Sequence, residues 1–244
     1  MYDLAGMLGY YPQNKAPSVG QVTITLDESA TFPVTIPSED FVFTVQTTTG
    51  IGLTFESPEI FTVQTKPTDF DTDEAARQFD ITVYEGKTVG TAAGRVNIGV
   101  SDGVTEWQEF NLPDQDVILS NFGDVLSIRL LIGNEPWTLQ ETLVESGEND
   151  AHFRWITKPG GITAVQFGDG TTGRIPPANI PINAIYRVGG GFRGNISTTD
   201  SSIIYEGTNA TISAVSFPDS ITQFSGGSNA VSYTHLTLPT ICSV

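Results

Sequence analysis

A mainly β fold is predicted by three features of this 244-residue sequence. Apolar and polar residues alternate in several short runs, the pattern of strands that bury one face. Glycine (25 residues), proline (14) and the β-branched residues recur throughout, as they do where many strands are joined by tight turns. Helix-spaced apolar residues are confined to the start, where Leu4, Met7 and Leu8 follow Asp3 as a cap and predict a short helix stopping at Gly9.

Residues 1–16 read as this helix and a connector containing Pro12, and residues 17–111 as a first β-rich region. Within it, Val22, Ile24 and Leu26 alternate with polar neighbours, as do Phe32, Val34 and Ile36, and then Phe41, Phe43 and Val45. Further strands are predicted over 52–55, 60–64, 79–84 and 95–100. Asp102-Gly103 suits a hairpin turn into 104–110, because both positions of such a turn take positive φ. The polar stretch ending at Asp116 marks the start of a second β-rich region, 112–230, although one interlocked domain would fit the same pattern. There the apolar run 125–132 predicts a strand covered on both sides, with a short buried helix as the alternative. The alternation Ile180, Ile182, Ala184, Tyr186, Val188 predicts a strand whose Pro181 stands at an edge or at the strand start.

Charge and composition narrow the function. The 28 acidic and 11 basic residues give a formal charge of -17, which repels phosphate backbones and anionic lipid, so neither nucleic acid nor membrane is an expected partner. The opening residues lack the basic start and apolar stretch of a secretory signal, and no segment reaches transmembrane length. A single cysteine, Cys242, rules out a disulfide within the chain, and two histidines, His152 and His235, leave little for a metal site. No catalytic residue, metal or cofactor is predicted. The glycine cluster lacks the Gly-Lys-Ser/Thr ending of a phosphate loop, and the Asp169 turn lacks the ligand series of an EF-hand. No nucleophile-elbow pattern surrounds His152.

Two glycine clusters stand out. The first is Phe167-Gly168-Asp169-Gly170 with Gly173, Pro176 and Pro177; the second is Tyr186-Arg187, then Gly189, Gly190, Gly191, Gly194 and Asn195. Asp169-Gly170 can reverse the chain, Pro176-Pro177 stiffens the exit, and three consecutive glycines admit another backbone without side-chain obstruction. Arg174, Arg187 and Arg193 lie around these motifs and are candidates for bidentate pairing with carboxylates across a subunit contact, with intrachain pairing or solvated charge as the alternative.

In this order the motifs resemble the phage baseplate J-like family, the wedge and assembly proteins of contractile tails. The opening from Leu4 to Tyr10, the Gln108, Phe110, Leu112 segment after Gly103, and Ser225-Gly226-Gly227-Ser228-Asn229-Ala230 support the resemblance. It implies a non-enzymatic structural subunit that assembles with other wedge subunits, or with copies of itself, in the virion tail baseplate, after synthesis in the bacterial host cytoplasm. It also implies an internal or N-terminal fragment, because the family pattern runs on at both ends. Residues 231–244 break that pattern and are similar to translated sequencing-adapter DNA, which implies a non-native tail. A tail-associated carbohydrate- or receptor-binding β module is the second expectation, with Trp107, Trp137 and Trp155 as stacking faces. A tail-associated glycosidase is a third.

Overall fold

The alternating Val22, Ile24 and Leu26 form the inward side of the first strand, and all three are fully buried. Each such side chain contributes about 2 kcal/mol by leaving water. The computed structural model describes residues 15–229, apart from 92, 93, 122 and 159. Its strands are β1 (Val19–Leu26), β2 (Val34–Ile36), β3 (Val42–Thr47), β4 (Gly52–Glu56), β5 (Phe61–Val63), β6 (Gln78–Glu85), β7 (Lys87–Val89) and β8 (Val96–Val100). They continue with β9 (Glu109–Asn111), β10 (Ile128–Ile132), β11 (Glu135–Leu139), β12 (His152–Lys158), β13 (Ile162–Gln166), β14 (Pro181–Val188), β15 (Ser201–Tyr205) and β16 (Ile212–Ser216). Three short 3-10 turns, Ser38–Asp40, Glu74–Arg77 and Phe192–Gly194, are the helical elements among the described residues. The fold is mainly β, as expected. The predicted helix at Leu4, Met7 and Leu8 and the 231–244 tail lie outside the described residues.

One six-stranded antiparallel sheet runs in the order β15-β3-β4-β6-β1-β16, and its end strands β15 and β16 approach each other, so the sheet curls on itself. An eight-stranded sheet runs β7-β14-β10-β11-β12-β13-β9, with β8 also paired to β14. β2 and β5 pair with each other. Each large sheet has its own apolar core. Phe41, Phe43, Phe55 and Phe224 lie in the first, where Phe55 and Phe224 meet edge-on with centroids 4.9 Å apart. Ile128, Leu130, Phe153, Phe167 and Tyr186 lie in the second.

Strand pairing does not follow the expected division at 111/112. β7, β8 and β9 precede residue 112 yet belong to the eight-stranded sheet, while β15 and β16 come from the far end of the chain and complete the six-stranded one. The eight-stranded sheet is thus an insertion in the first. The cause is the free side of β1: Ile24 faces Phe79 of β6 across one edge, and only the returning β16 supplies Val215 across the other.

Two local expectations also change. Asp102-Gly103 makes a turn but no hairpin, since β8 pairs with β14 and β9 with β13. The Asp102 carboxylate accepts the N–H groups of Val104 and Thr105, both at 2.9 Å, and this side-chain cap redirects the chain away from a two-residue reversal. In the 125–132 run the strand begins only at Ile128 and is covered on one side: Ile128, Leu130 and Ile132 are buried, whereas Leu126 and Arg129 are exposed. Pro181 is the first residue of β14, consistent with its missing N–H.

Candidate functional site

The eight-stranded sheet is entered and left through two crossings that touch. β6 buries Ile81 and Val83, and the same period-two register turns Glu85 inward, where it is 5% exposed. Gly86, with φ +119°, hands the chain to β7. On the return, Tyr186 and Arg187 stand near the end of β14, after which Gly189, Gly190 and Gly191 take φ of 121°, 76° and 98°. A Cβ on Gly189 would lie 2.9 Å from Cα of Gly86, so the two backbones meet only because both are bare. The approaching main chain for which three glycines leave room is the protein's own.

Arg187 locks this meeting point. It is 3% exposed, which corrects the surface role expected for it and selects the intrachain alternative. Its Nη2 donates to the carbonyls of Gly86 at 2.9 Å and Tyr84 at 3.3 Å, and its Nε lies 3.6 Å from Oε2 of Glu56. Glu56 in turn accepts the backbone N–H of Thr88 at 3.0 Å and its hydroxyl at 2.6 Å. One guanidinium therefore ties β14 to β6 and β4 across the two sheets. Burial pulls the Arg187 guanidinium below its ordinary value, against the opposing pull of Glu56 and Glu85.

Burial also pushes the Glu85 carboxyl up, opposed by the Gly190 N–H that it accepts and by the charges of Lys15 and Arg187. With the folded value raised, the stability that Glu85 contributes is complete below the ordinary carboxylate value and is lost as pH rises through the raised one. Glu85→Gln is therefore expected to gain stability relative to the native chain between about pH 4 and pH 8. Urea unfolding at both ends of that window measures the gain, and a difference independent of pH would refute it.

The rest of the second motif closes the joint. Asn195 imitates a strand partner, donating from Nδ2 to the Gly227 carbonyl and accepting the Gly227 N–H, both at 2.8 Å. Gly191 donates to the Ala16 carbonyl at 2.9 Å, and Lys15 pairs with Asp116 at 3.0 Å. Gly194 is buried where any side chain would overlap Ser18. The 225–229 segment, legible in sequence as a polar turn and as a support for the resemblance, is thus a working part of the junction.

The first motif lies at the other end of β14. A Cβ on Gly168 would overlap the Gly173 carbonyl, and the turn between them is closed by Gly170 N–H to Gly173 O at 2.9 Å. Asp169 accepts the N–H groups of Thr171 at 2.8 Å and Thr172 at 2.6 Å, and these bonds, Thr172 first, hold its carboxyl below the usual range. Phe167 packs edge-on to Trp137, with ring centroids 5.1 Å apart. Arg174 pairs with Glu135 and lies 4.8 Å from the centroid of the Trp137 ring. Pro176 is buried and accepts the Ser101 hydroxyl at 2.7 Å, while Pro177 is exposed. Tyr186, at the core end of this network, donates to Asp114, and burial followed by that bond raises its phenol. Of the three arginines expected at a subunit contact, Arg193 alone is exposed and, among the described residues, without an ion pair.

The structure does not bring the two motifs together, nor does it gather the three tryptophans. Trp137 is buried, Trp155 is half-buried on β12, and Trp107 is exposed on the loop before β9. At His152, Ser146 Oγ lies 2.9 Å and Asp150 Oδ2 3.9 Å from the same ring nitrogen, Nδ1. A serine triad needs them on opposite nitrogens. Two surface depressions, of about 170 and 470 Å³, lie on the six-stranded sheet, and neither is lined by a residue of the two motifs. Among the described residues no group of three or more His, Cys, Asp or Glu could hold a metal ion, and no helix is long and apolar enough to cross a membrane.

Glu56, Glu85 and Gly86 were missed in the sequence. Glu85 had a signal, its place in the buried register of Ile81 and Val83, and Arg187 had another, the apolar Ile185 on the face of β14 otherwise occupied by polar residues. No protein-family model matches the chain, and no curated protein matches it.

Proposed function

We propose that this chain is a structural subunit of a contractile phage tail baseplate wedge, working through protein-protein assembly and the transmission of conformational change. The observation that supports this most is the use to which the motif residues are put. Gly168 and Gly173 close a tight turn, while Gly189, Gly191, Gly194 and Asn195 form close joints with distant segments of the chain. Joints of that kind couple two sheets into one block, so that a displacement applied to one is passed to the other. Its partners are other wedge subunits and copies of itself, and its place is the virion tail. The experiment is to express a tagged chain during particle production and purify intact tails. Co-purification with sheath and tube is the expected result; absence from every tail fraction refutes the proposal. Specific sugar binding by the isolated chain, in the absence of incorporation, would favour a carbohydrate-binding module instead.

A further inference from the structure

We propose that copies of this chain associate head to tail, with the Phe192–Gly194 turn of one copy docking on the exposed 100–107 loop of the next. The inference deepens the assembly reading above and rests on it. Phe192 is 69% exposed, and Arg193 beside it is exposed and carries no ion pair among the described residues. They do not hang on a loose loop. The Phe192 N–H is held by Asn229 at 3.0 Å, the Gly194 N–H by the Gly191 carbonyl at 3.2 Å, and the Asn195 N–H by the Phe192 carbonyl at 3.1 Å. An aromatic ring and a guanidinium fixed in this way lose little freedom on binding, and both belong to the side chains that carry most interface energy.

The complementary surface is the 100–107 loop. Val104 is 77% and Trp107 39% exposed, and Val100 beside them is exposed as well. Trp107 sits at φ +55°, a left-handed conformation unfavourable for a bulky residue, and its backbone N–H is fastened to the Gly168 carbonyl at 3.1 Å. The first motif thus holds an indole part-way out of the core. Asp102, kept ionised by its bonds to Thr105 and Val104, and the exposed Glu106 flank this apolar patch with negative charge. An apolar ring with a cation beside it is the occupant that such a patch fits, and Phe192 with Arg193 supplies both.

Position makes the contact heterologous. Pro181 pairs with Val100, whereas Val188 leads into the glycine turn, so the two surfaces lie at opposite ends of β14. The seven steps from Pro181 to Val188 separate them by about 23 Å, too far for one copy to satisfy both from within. Different patches meeting in this way make a head-to-tail assembly.

Sedimentation of the full chain over a concentration series tests the idea. Concentration-dependent association is expected, weakened about tenfold or more by each of Phe192→Ala, Arg193→Glu and Glu106→Arg. Mixing the Arg193→Glu and Glu106→Arg variants should restore association that neither shows alone, which a folding defect could not do. A chain monomeric at every concentration, or a mixture without recovery, overturns the inference. If that monomeric chain still enters tails, the wedge assignment stands; self-association without entry into tails has the opposite meaning.

Discussion

Replacing Arg187 with methionine is expected to lower the unfolding free energy by about 3–5 kcal/mol, the cost of removing one partner from a buried ion pair. The substitution leaves Glu56 and Glu85 buried on either side of the vacated position, and it removes both guanidinium bonds to the carbonyls of Gly86 and Tyr84. Methionine fills much of the volume, so the loss reports charge and hydrogen bonding more than packing. Arg187→Lys keeps the charge without the planar fork and should fall in between. The same change at Arg174, whose pair with Glu135 is much more accessible, should cost about 1 kcal/mol. Urea unfolding measures all three. Hydrogen exchange adds location: the Ile118 N–H, bonded to the Arg187 carbonyl at 2.9 Å, should lose protection first. A methionine variant within about 1 kcal/mol of the native chain would show that the junction is not held by this charge.

Gly168→Ala carries the second large effect, about 3 kcal/mol or more. Its Cβ would overlap the carbonyls of Gly173 and Thr172, which are main-chain atoms in a turn already closed by the Gly170 bond and by Asp169. No flexible side chain can yield there. Gly160→Ala is the control, since it also changes a glycine but meets nothing within 4 Å and pays only for its φ of +85°. That penalty is about 1–2 kcal/mol. Denaturation midpoints that fall equally in the two variants would remove the steric argument. Because the Gly168 carbonyl holds the backbone N–H of Trp107 and so sets where its ring stands, the Gly168 variant should also change tryptophan fluorescence, whereas the Gly160 variant should not.

Much of the architecture could be read directly. The strands around Val22, Phe43 and Ile182 stand where the alternation placed them, because a strand with one buried face writes its period into the chain, and those around Phe55, Ile81 and Ile98 stand where further strands were expected. The glycine motifs were legible as turns and crossings for a similar reason: positive φ and bare backbone admit few other residues. The partners of those turns were not legible. Gly86 lies 103 residues before Gly189, and Asn195 meets Gly227 across 32 residues, distances over which local preference carries no information. Asp102-Gly103 shows the same limit at short range, where a side-chain cap and pairing to two different strands overrode a good hairpin dipeptide.

By itself, then, the sequence determined the mainly β class, the one-sided strands and the positions of bare backbone, since these follow from side-chain period and from the allowed φ of each residue type. Only the tertiary structure decided that the eight-stranded sheet is inserted into the six-stranded one, that Arg187 is an internal lock, and that Phe192 and Trp107 are left outside at opposite ends of β14. Burial and charge pairing are properties of segments that meet in space, and no property of a single segment names the one it will meet.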